Sequence, residues 1–502
     1  MNTKVGFDTD KYLKRQLKKL SERLHKFKRL YLEFGGKLFS DQHFARTTPG
    51  YRPTAKIELL KQLKKMELFY CVCAEDIAKG RIRGDTGLPY DLQTLKDIGD
   101  INSFGLKVRG IIISRFQEQS SVLPLKRKLE NAGFKVYFQN KIEGYPKDLQ
   151  KILEGYEKQP YVPVEKSLIV VTGTGPGSGK MAFCLSQIYH ERKRQIKSGF
   201  AKFETIPVWN LPLAHPINIA YEAATADLGD INMIDPFHKK EYGISVVNYN
   251  RDIENFLILK SILHKITGEK YPFGYRSPTD MGMNMIKAGI TDDLICQKAS
   301  KEEIIRRHFR YRREKIEGKE TQETVERMDE VMKKAKLKPE DRKTVLPARR
   351  AAKNAKKTGK GHDGVYNGAA LELKDGRIII GKNSPVLHAE SAAVINGLKV
   401  LAGIPDEINL ISPNVLKEVS KVKEVAAEHH PSLSVSETLI ALAAVSVINP
   451  SAKAALAKIS ELKNCEMHVV NLPSAGDETG LRILNINLTT DGKLASLQFF
   501  RQ

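Results

Sequence analysis

Residues 167–181 read SLIVVTGTGPGSGKM and combine an apolar run, a glycine-rich turn and a lysine. Four apolar residues, 168–171, have the form of a buried strand, and the helix-forming stretch 181–194 follows. Glycines alternate with other residues between them, so the backbone can turn several N–H groups toward one point. The start of the helix and the ammonium group of Lys180 would face the same point, which suits a phosphate. The predicted phosphate-binding residues are Gly173, Thr174, Gly175, Gly177, Ser178, Gly179 and Lys180.

The turn resembles a P-loop, although it departs from the pattern G-x-x-x-x-G-K-[ST] at two positions. Thr174 stands where the pattern has its first glycine, and Met181 stands where it has the hydroxyl that binds magnesium. Ser178, Thr174 or Thr172 could replace that hydroxyl, or the site could bind phosphate without a metal. The dinucleotide pattern G-x-G-x-x-G also fails, because Ser178 takes the place of its third glycine. A purely structural strand-to-helix turn is the alternative.

The composition places the chain among ordinary globular proteins. Its 502 residues are enough for about two to four domains. We find neither an apolar run of the roughly 18 residues that a membrane span needs nor an apolar core in the lysine-rich N-terminus. We therefore expect a cytoplasmic protein with no membrane association. The five cysteines are scattered and odd in number, which favours reduced thiols over a disulfide framework.

Positive charge is concentrated in the first part of the chain. The net charge is +23, yet residues 361–502 hold 13 Lys and Arg against 15 Asp and Glu, which leaves +25 for residues 1–360. Such an excess indicates an anionic partner, and we expect a nucleotide or another phosphorylated small molecule. Nucleic acid is an alternative that we do not favour, because the chain has no recognisable nucleic-acid-binding motif.

Strand patterns alternate with helical stretches through most of the first 270 residues. Strands are predicted at 29–38, 67–74, 106–114, 135–139, 168–171, 203–210 and 244–249. This alternation predicts an α/β fold with a mostly parallel, doubly wound sheet that carries the P-loop-like turn.

Loops that follow two of the predicted strands carry basic side chains. The loop 40–53 contains Arg46 and Arg52, and the loop after the strand at 67–74 contains Arg81 and Arg83. Ligands bind beyond the carboxyl ends of strands in open α/β sheets, so these arginines are candidate substrate-binding residues. Solvated surface loops are the alternative.

Acidic residues gather downstream of the turn, within 215–235. We expect Glu222, Asp227 and Asp230 to hold magnesium or to act as acid or base, since hard cations take oxygen ligands. Together with the turn, they predict a site for ATP or GTP with magnesium. Solvated loop carboxylates are the alternative.

The chain changes character around residue 342. Residues 342–360 hold eight basic residues and no acidic ones, and we interpret them as a basic linker or arm. The predicted domains are an N-terminal α/β subdomain at 1–160, a P-loop-like nucleotide-binding region at 161–341, this linker, and a smaller α/β domain at 361–502.

The C-terminal domain begins with a predicted hairpin, in which strands 365–373 and 377–380 are joined by residues 374–376. His388-Ala-Glu390 then opens a helix, and this arrangement resembles the H-x-E half of the nucleoside and nucleotide deaminase signature. The resemblance implies a zinc-ligand position at His388, a proton shuttle at Glu390 and a substrate contact at Asn383. His388 and Glu390 are therefore candidate catalytic residues.

The second half of that signature, P-C-x-x-C, is not matched. A strand predicted at 407–411 is followed by Pro413, but Asn414 and Lys417 stand in place of the cysteines. Amide and ammonium groups do not replace thiolates at zinc, so we expect a deaminase-like fold without zinc. Metal-free acid–base chemistry and a merely polar helix start are the two remaining interpretations of His388 and Glu390.

The whole chain also resembles a family of conserved bacterial proteins with no assigned activity, in which a P-loop-like α/β body carries a separate C-terminal domain. The resemblance spans nearly the full length and rests on the glycine-rich turn, the loop 46–52 and the acidic stretch 222–230. The residues favour phosphoryl transfer or ligation with ATP or GTP. A non-catalytic metabolite sensor with a degenerate deaminase-like domain is the alternative, and the oligomeric state stays open.

Overall fold

The structure, a computed structural model, describes residues 5–36, 38–39, 41–63, 65–83, 86–145, 147–362, 364–425 and 432–495. The chain divides into two compact units, one that ends at Glu303 and one that begins at Ile304. Among the residues described, none of the helices combines the length and the apolar character that a bilayer crossing requires.

Strands and helices alternate in the first unit, as the sequence predicts. The strands are β1 Arg29–Phe34, β2 Met66–Cys73, β3 Val108–Phe116, β4 Val136–Asn140, β5 Leu168–Gly173, β6 Ser198–Phe203, β7 Asn232–Ile234, β8 Val247–Tyr249 and β9 Gly282–Met283. The helices are α1 Thr9–Leu24, α2 Gln42–Thr47, α3 Ala55–Gln62, α4 Ala74–Ala78, α5 Tyr90–Ser103, α6 Leu123–Asn131, α7 Leu149–Lys158, α8 Lys180–Lys193, α9 Pro216–Ala224, α10 Pro236–Tyr242, α11 Asn250–Thr267, α12 Pro278–Met281 and α13 Asp293–Ile316.

Seven of these strands form one parallel sheet in the order β4-β3-β2-β5-β1-β6-β9. One apolar cluster on the sheet includes Leu13, Ile57 and Leu129 from α1, α3 and α6. A second cluster includes Phe183 and Leu259 from α8 and α11. Because helices cover the sheet on both faces, most residues of its central strands are apolar on both sides of the sheet rather than on one side only. The prediction of a mostly parallel α/β sheet is confirmed.

Two local predictions in this unit are wrong. The predicted strand 203–210 is displaced to β6, Ser198–Phe203, because Pro207 lacks the N–H that a strand pairing requires and β6 pairs with β1 along its whole length. The predicted loop 40–53 contains helix α2, which starts at an Asp41 cap that accepts the N–H of Phe44.

The second unit has a small mixed sheet. Its helices after α13 are α14 Gln322–Ala335, α15 Val345–Lys357, α16 Ala389–Ala402, α17 Pro413–Val425, α18 Val435–Val445, α19 Pro450–Leu456 and α20 Ala475–Ile483. Its strands are β10 Gly368–Glu372, β11 Ile378–Lys382, β12 Glu466–Asn471 and β13 Asn487–Lys493, in the order β11-β10-β12-β13. β10 is antiparallel to both of its neighbours, while β12 and β13 are parallel. The predicted hairpin at 374–376 is therefore confirmed.

Two further expectations differ from this unit's structure. The interpretation of 342–360 as a tether does not fit, because Ala348 and Ala355 of α15 are fully buried while its lysines are exposed. Residues 407–411 are turn and bend rather than strand. A short apolar run cannot be told from an irregular core segment by its pattern alone, and Leu410 packs into the core without a strand partner.

Candidate functional site

The glycine-rich turn lies at the centre of one edge of the seven-stranded sheet. All seven strands are parallel, so their carboxyl ends share this edge, and β5 lies between β2 and β1. The chain reaches β5 from β4 on one side and leaves it for β6 on the other. A change of direction of this kind opens a crevice where ligands bind in α/β sheets.

Glycines are required in this turn by close contacts and by backbone conformation. A Cβ atom on Gly173 would overlap the carbonyl oxygen of Cys71 and approach the hydroxyl of Ser178 to 2.6 Å. Gly179 has a φ of +91°, and a Cβ atom there would meet the side chain of Ser114. Gly177 has a φ of +75°. The turn therefore needs glycine for a backbone that β2 and β3 closely surround.

Hydrogen-bond donors remain available in the turn. The N–H groups of Thr174 and Ser178 donate within the protein, to Cys71 and Gly175. The N–H groups of Gly177 and Gly179 and the first three of α8, at residues 180–182, have no acceptor among the described residues. The Thr174 hydroxyl is also buried without a partner among them. A set of donors at one helix N-terminus is an arrangement that binds anions.

Lys180 adds a positive charge to the same turn. It is 8 % exposed, and its Nζ donates to the carbonyl oxygen of Gly175 at 2.9 Å and to the Ser178 hydroxyl at 3.3 Å. Neither acceptor carries a charge. The ammonium group is thus held at the turn by neutral oxygens that an anion could replace.

Of the four arginines predicted to bind substrate, Arg81 reaches the surroundings of the turn. Its guanidinium lies 5.6 Å from the centre of the Tyr90 ring, and the Tyr90 hydroxyl lies 3.5 Å from the position of a Cβ atom on Gly175. Burial lowers the pKa of Arg81, but Tyr90, Asp76 and Asp227 together raise it. Arg81 and the predicted acid Asp227 are therefore electrostatic neighbours.

Arg81 also pairs with Asp76, at 3.3 Å. The other three arginines are engaged in ion pairs as well. Arg83 pairs with Asp97 at 3.2 Å, and Arg46 lies 4.0 Å from Glu303. Arg52 bonds to both Asp10 and Glu58. These contacts connect α1, α2, α3 and α5 to neighbouring segments, so each guanidinium has a structural role.

The three predicted acidic residues do not converge. Asp230 accepts two hydrogen bonds from Arg251, at 2.5 and 2.8 Å, and one from the Tyr221 hydroxyl. Glu222 accepts the N–H of Asn232 at 2.9 Å, and Asp227 is exposed. Within the described ranges, no three His, Cys, Asp or Glu side chains are grouped as metal ligands.

A group of charged residues that was not predicted from the sequence lies at the same edge of the sheet, with Lys202 and Asp252 buried and Glu33 and Glu204 half-buried. Glu33 of β1 is paired with Lys202 of β6 and with Val171 of β5. Lys202 Nζ contacts Asp252 at 2.5 Å. Burial and the charge of Asp252 raise the pKa of Glu204 to about 8. Charged residues at 33 and 202, each flanked by apolar neighbours, were the signal in the sequence.

In the second unit, the structure assigns a partner to His388. Its Nδ1 lies 2.7 Å from Oδ2 of Asp477, which also accepts a hydrogen bond from the Ser474 hydroxyl. The other oxygen of Asp477, Oδ1, accepts a hydrogen bond from the N–H of Val435. Burial lowers the pKa of His388, but the bond and charge of Asp477 outweigh this effect and raise it. Burial and Asp477 raise the pKa of Glu390 to about 8. His388, Glu390 and Asp477 form one acid–base cluster.

The remaining signature positions lie elsewhere than expected. The partner of His388 starts α20, at Pro473-Ser-Ala-Gly-Asp477, rather than α17 at Pro413. Ser474 and Asp477 have the i, i+3 spacing of the P-C-x-x-C cysteines. The Asn383 amide accepts the N–H of Asn367 and donates to the carbonyl of Val365. Both ends of the Asn383 side chain therefore bond to the backbone.

Comparison with known proteins gives matches over nearly the whole chain. The family model "Domain of unknown function DUF1846, N-terminal" matches residues 5–336, and its C-terminal counterpart matches residues 340–500. A UPF0371 protein of Clostridium tetani is 46% identical over 497 residues, 98% of each chain. Relatives from Fusobacterium nucleatum (46% identical, 97% of each chain) and Clostridioides difficile (45% identical, 99% of each chain) are similar over the same extent.

Proposed function

This chain belongs to the DUF1846 family of UPF0371 proteins, and we propose that its first unit binds the phosphate of a phosphorylated small molecule, with a nucleotide as the ligand class. The observation that carries the proposal is the turn at 173–180. There, backbone N–H groups and a Thr174 hydroxyl that have no partner among the described residues lie with the Lys180 ammonium at the N-terminus of one helix.

Phosphate fits this arrangement better than a smaller or neutral ligand. Several N–H groups that point to one side of a turn match the several oxygens of a phosphate, and the helix dipole favours its charge. A bound phosphate would replace the neutral Gly175 carbonyl as the acceptor of Lys180, which strengthens that hydrogen bond. Arg81 would meet the negative charge from the side of Tyr90.

Phosphoryl transfer or ligation is the chemistry that we propose for the bound nucleotide. Such reactions depend chiefly on positioning and on charge stabilisation. Lys180 and the turn would supply both at the phosphate. Glu204 lies at the same sheet edge, and burial and Asp252 raise its pKa to about 8, so it would supply a group that accepts or donates a proton.

The test is a melting experiment on the full chain with ATP, GTP, pyrophosphate and inorganic phosphate. A ligand at about 100 times its Kd stabilises the folded state by about 2.7 kcal/mol, which raises the Tm of a unit of this size by about 4 °C. We expect Lys180→Ala to abolish this rise. Lys193→Ala is the matched control, because Lys193 ends the same helix, is half exposed and pairs with Glu157. The proposal fails if none of the four probes raises the Tm or if Lys180→Ala responds like the native chain.

A second candidate function is metabolite sensing by the second unit, which the short His388–Asp477 contact favours. An oriented imidazole beside a protonated carboxyl group can recognise a polar heterocycle by hydrogen bonds. We expect saturable binding of a nucleoside without product formation, abolished by His388→Ala and retained by Lys180→Ala. Turnover of that nucleoside, or binding that survives His388→Ala, would contradict a sensor at this cluster.

A further inference from the structure

Glu33 is a carboxylate that lies on the strand next to the turn's strand, β5. Its Oε2 atom is buried and has no hydrogen-bond partner among the described residues. Lys202, its neighbour across the strands, is bonded to Asp252 instead. A buried carboxylate oxygen without a donor is costly, and a bound water or ion is one explanation for such an oxygen.

The position of Glu33 points to the phosphate site. Glu33 is adjacent to Val171, two residues before Gly173, where the turn begins. The pKa of the Cys71 thiol is raised to about 12 by burial and by the charge of Glu33, although the charge of Lys180 lowers it. The same two charges act on the Cys184 thiol, one helical turn after Lys180. Glu33 and Lys180 are therefore close enough to act on common neighbours, and no salt bridge joins them in the described chain.

The Thr174 hydroxyl, in the turn itself, is another oxygen that has no partner among the described residues. Thr174 is 4 % exposed, and its Oγ1 has no partner in the part of the chain that the structure describes. It lies in the turn directly after β5, while Glu33 lies on the adjacent strand. Met181 leaves the turn without a hydroxyl at the usual position.

We propose that Glu33 and the Thr174 hydroxyl bind a magnesium ion that bridges to the phosphate held by the turn. Magnesium is bound through one or two protein oxygens together with waters and substrate phosphates, so a cage of three acidic residues is not needed. This inference rests on the proposed phosphate site. It also replaces Glu222, Asp227 and Asp230 as the magnesium ligands, since Asp230 is bonded to Arg251.

The experiment is calorimetric titration of the full chain with ATP, in the presence of magnesium and in the presence of a chelator. We expect magnesium to tighten ATP binding by about tenfold or more. Loss of a group that supports a bound metal lowers affinity by a factor of the same order. Glu33→Gln should abolish this gain and leave the metal-free affinity within about twofold of the native chain. Thr174→Val should reduce the gain in the same selective way.

Glu67→Gln is the matched control. Glu67 is a buried carboxylate of the same sheet, also with an unpartnered oxygen, but it lies near the amino end of β2. Glu33→Asp keeps the carboxylate and should retain part of the gain, which separates ligand loss from misfolding. The inference is overturned if Glu33→Gln keeps the full magnesium gain, or if the native chain binds ATP equally with and without magnesium. In both cases the phosphate site itself would stand, whereas a native chain that binds none of ATP, GTP, pyrophosphate and inorganic phosphate would refute both proposals.

Discussion

Replacement of Gly179 by alanine should destabilise the first unit far more than the same replacement at Gly177. Both glycines have a left-handed backbone, with φ values of +91° and +75°. An alanine pays about 1–2 kcal/mol for this conformation at either position. Only at 179 would the new methyl group meet another side chain, because its Cβ would overlap that of Ser114 and lie 2.5 Å from its Oγ. At 177 no atom of the described residues lies within 4 Å of the new Cβ.

The overlap adds about 1–3 kcal/mol, as overpacking does in a close-packed interior. The expected loss in the free energy of unfolding is therefore about 2–5 kcal/mol for Gly179→Ala and about 1–2 kcal/mol for Gly177→Ala. Urea unfolding followed by circular dichroism measures both values. ATP binding by Gly179→Ala should weaken as well, because its N–H belongs to the proposed phosphate site.

A double mutant isolates the contact with Ser114. Ser114→Gly removes both overlapping atoms, although it also removes the hydrogen bond from the Ser114 hydroxyl to the carbonyl of Ser178, at a cost of about 1–2 kcal/mol. The double mutant should be more stable than the sum of the single effects predicts, by about 1–3 kcal/mol. Equal stabilities of Gly179→Ala and Gly177→Ala, or additive effects in the double mutant, would refute this explanation.

Two more predictions concern charged groups. Arg81→Ala should weaken phosphate or ATP binding by about tenfold or more, since it removes a cation near the turn. Arg83→Ala should lower the free energy of unfolding and leave binding unchanged, because Arg83 pairs with Asp97. Calorimetry measures the binding and urea unfolding measures the stability, and equal effects of the two variants on binding would contradict the assignment. Glu390 has a folded-state pKa raised to about 8 from 4.5. Its contribution to the free energy of unfolding is therefore complete below pH 4.5 and is lost as the pH rises toward 8. Glu390→Gln should flatten the decline of stability of the second unit between pH 5 and 8, as measured by urea unfolding at several pH values, and an unchanged slope would show that Glu390 does not titrate as described.

Much of the first unit could be predicted because its information is local. The apolar run 168–171, the glycines after it and the helix that follows are one continuous stretch, and their backbone requirements follow from covalent structure and sterics. The alternation of strands and helices likewise predicts parallel pairing, since parallel strands need crossover connections. The strands predicted at 203–210 and 407–411 were wrong, because a short apolar pattern fits an irregular segment as well as a strand.

The contents of the candidate sites were decided by tertiary structure. Glu33 and Lys202 are neighbours only because β6 pairs with β1, and Asp477 reaches His388 from 89 positions further along the chain. Likewise, the sequence predicts Arg52 as a ligand-binding side chain, but in the folded chain Arg52 is bonded to Asp10 and Glu58. The amino-acid sequence by itself determined which segments are strands, helices and a phosphate-fitting turn, because these depend on neighbouring residues. Only the folded chain decided which charges meet, because strand order and helix packing bring together residues that no local pattern connects.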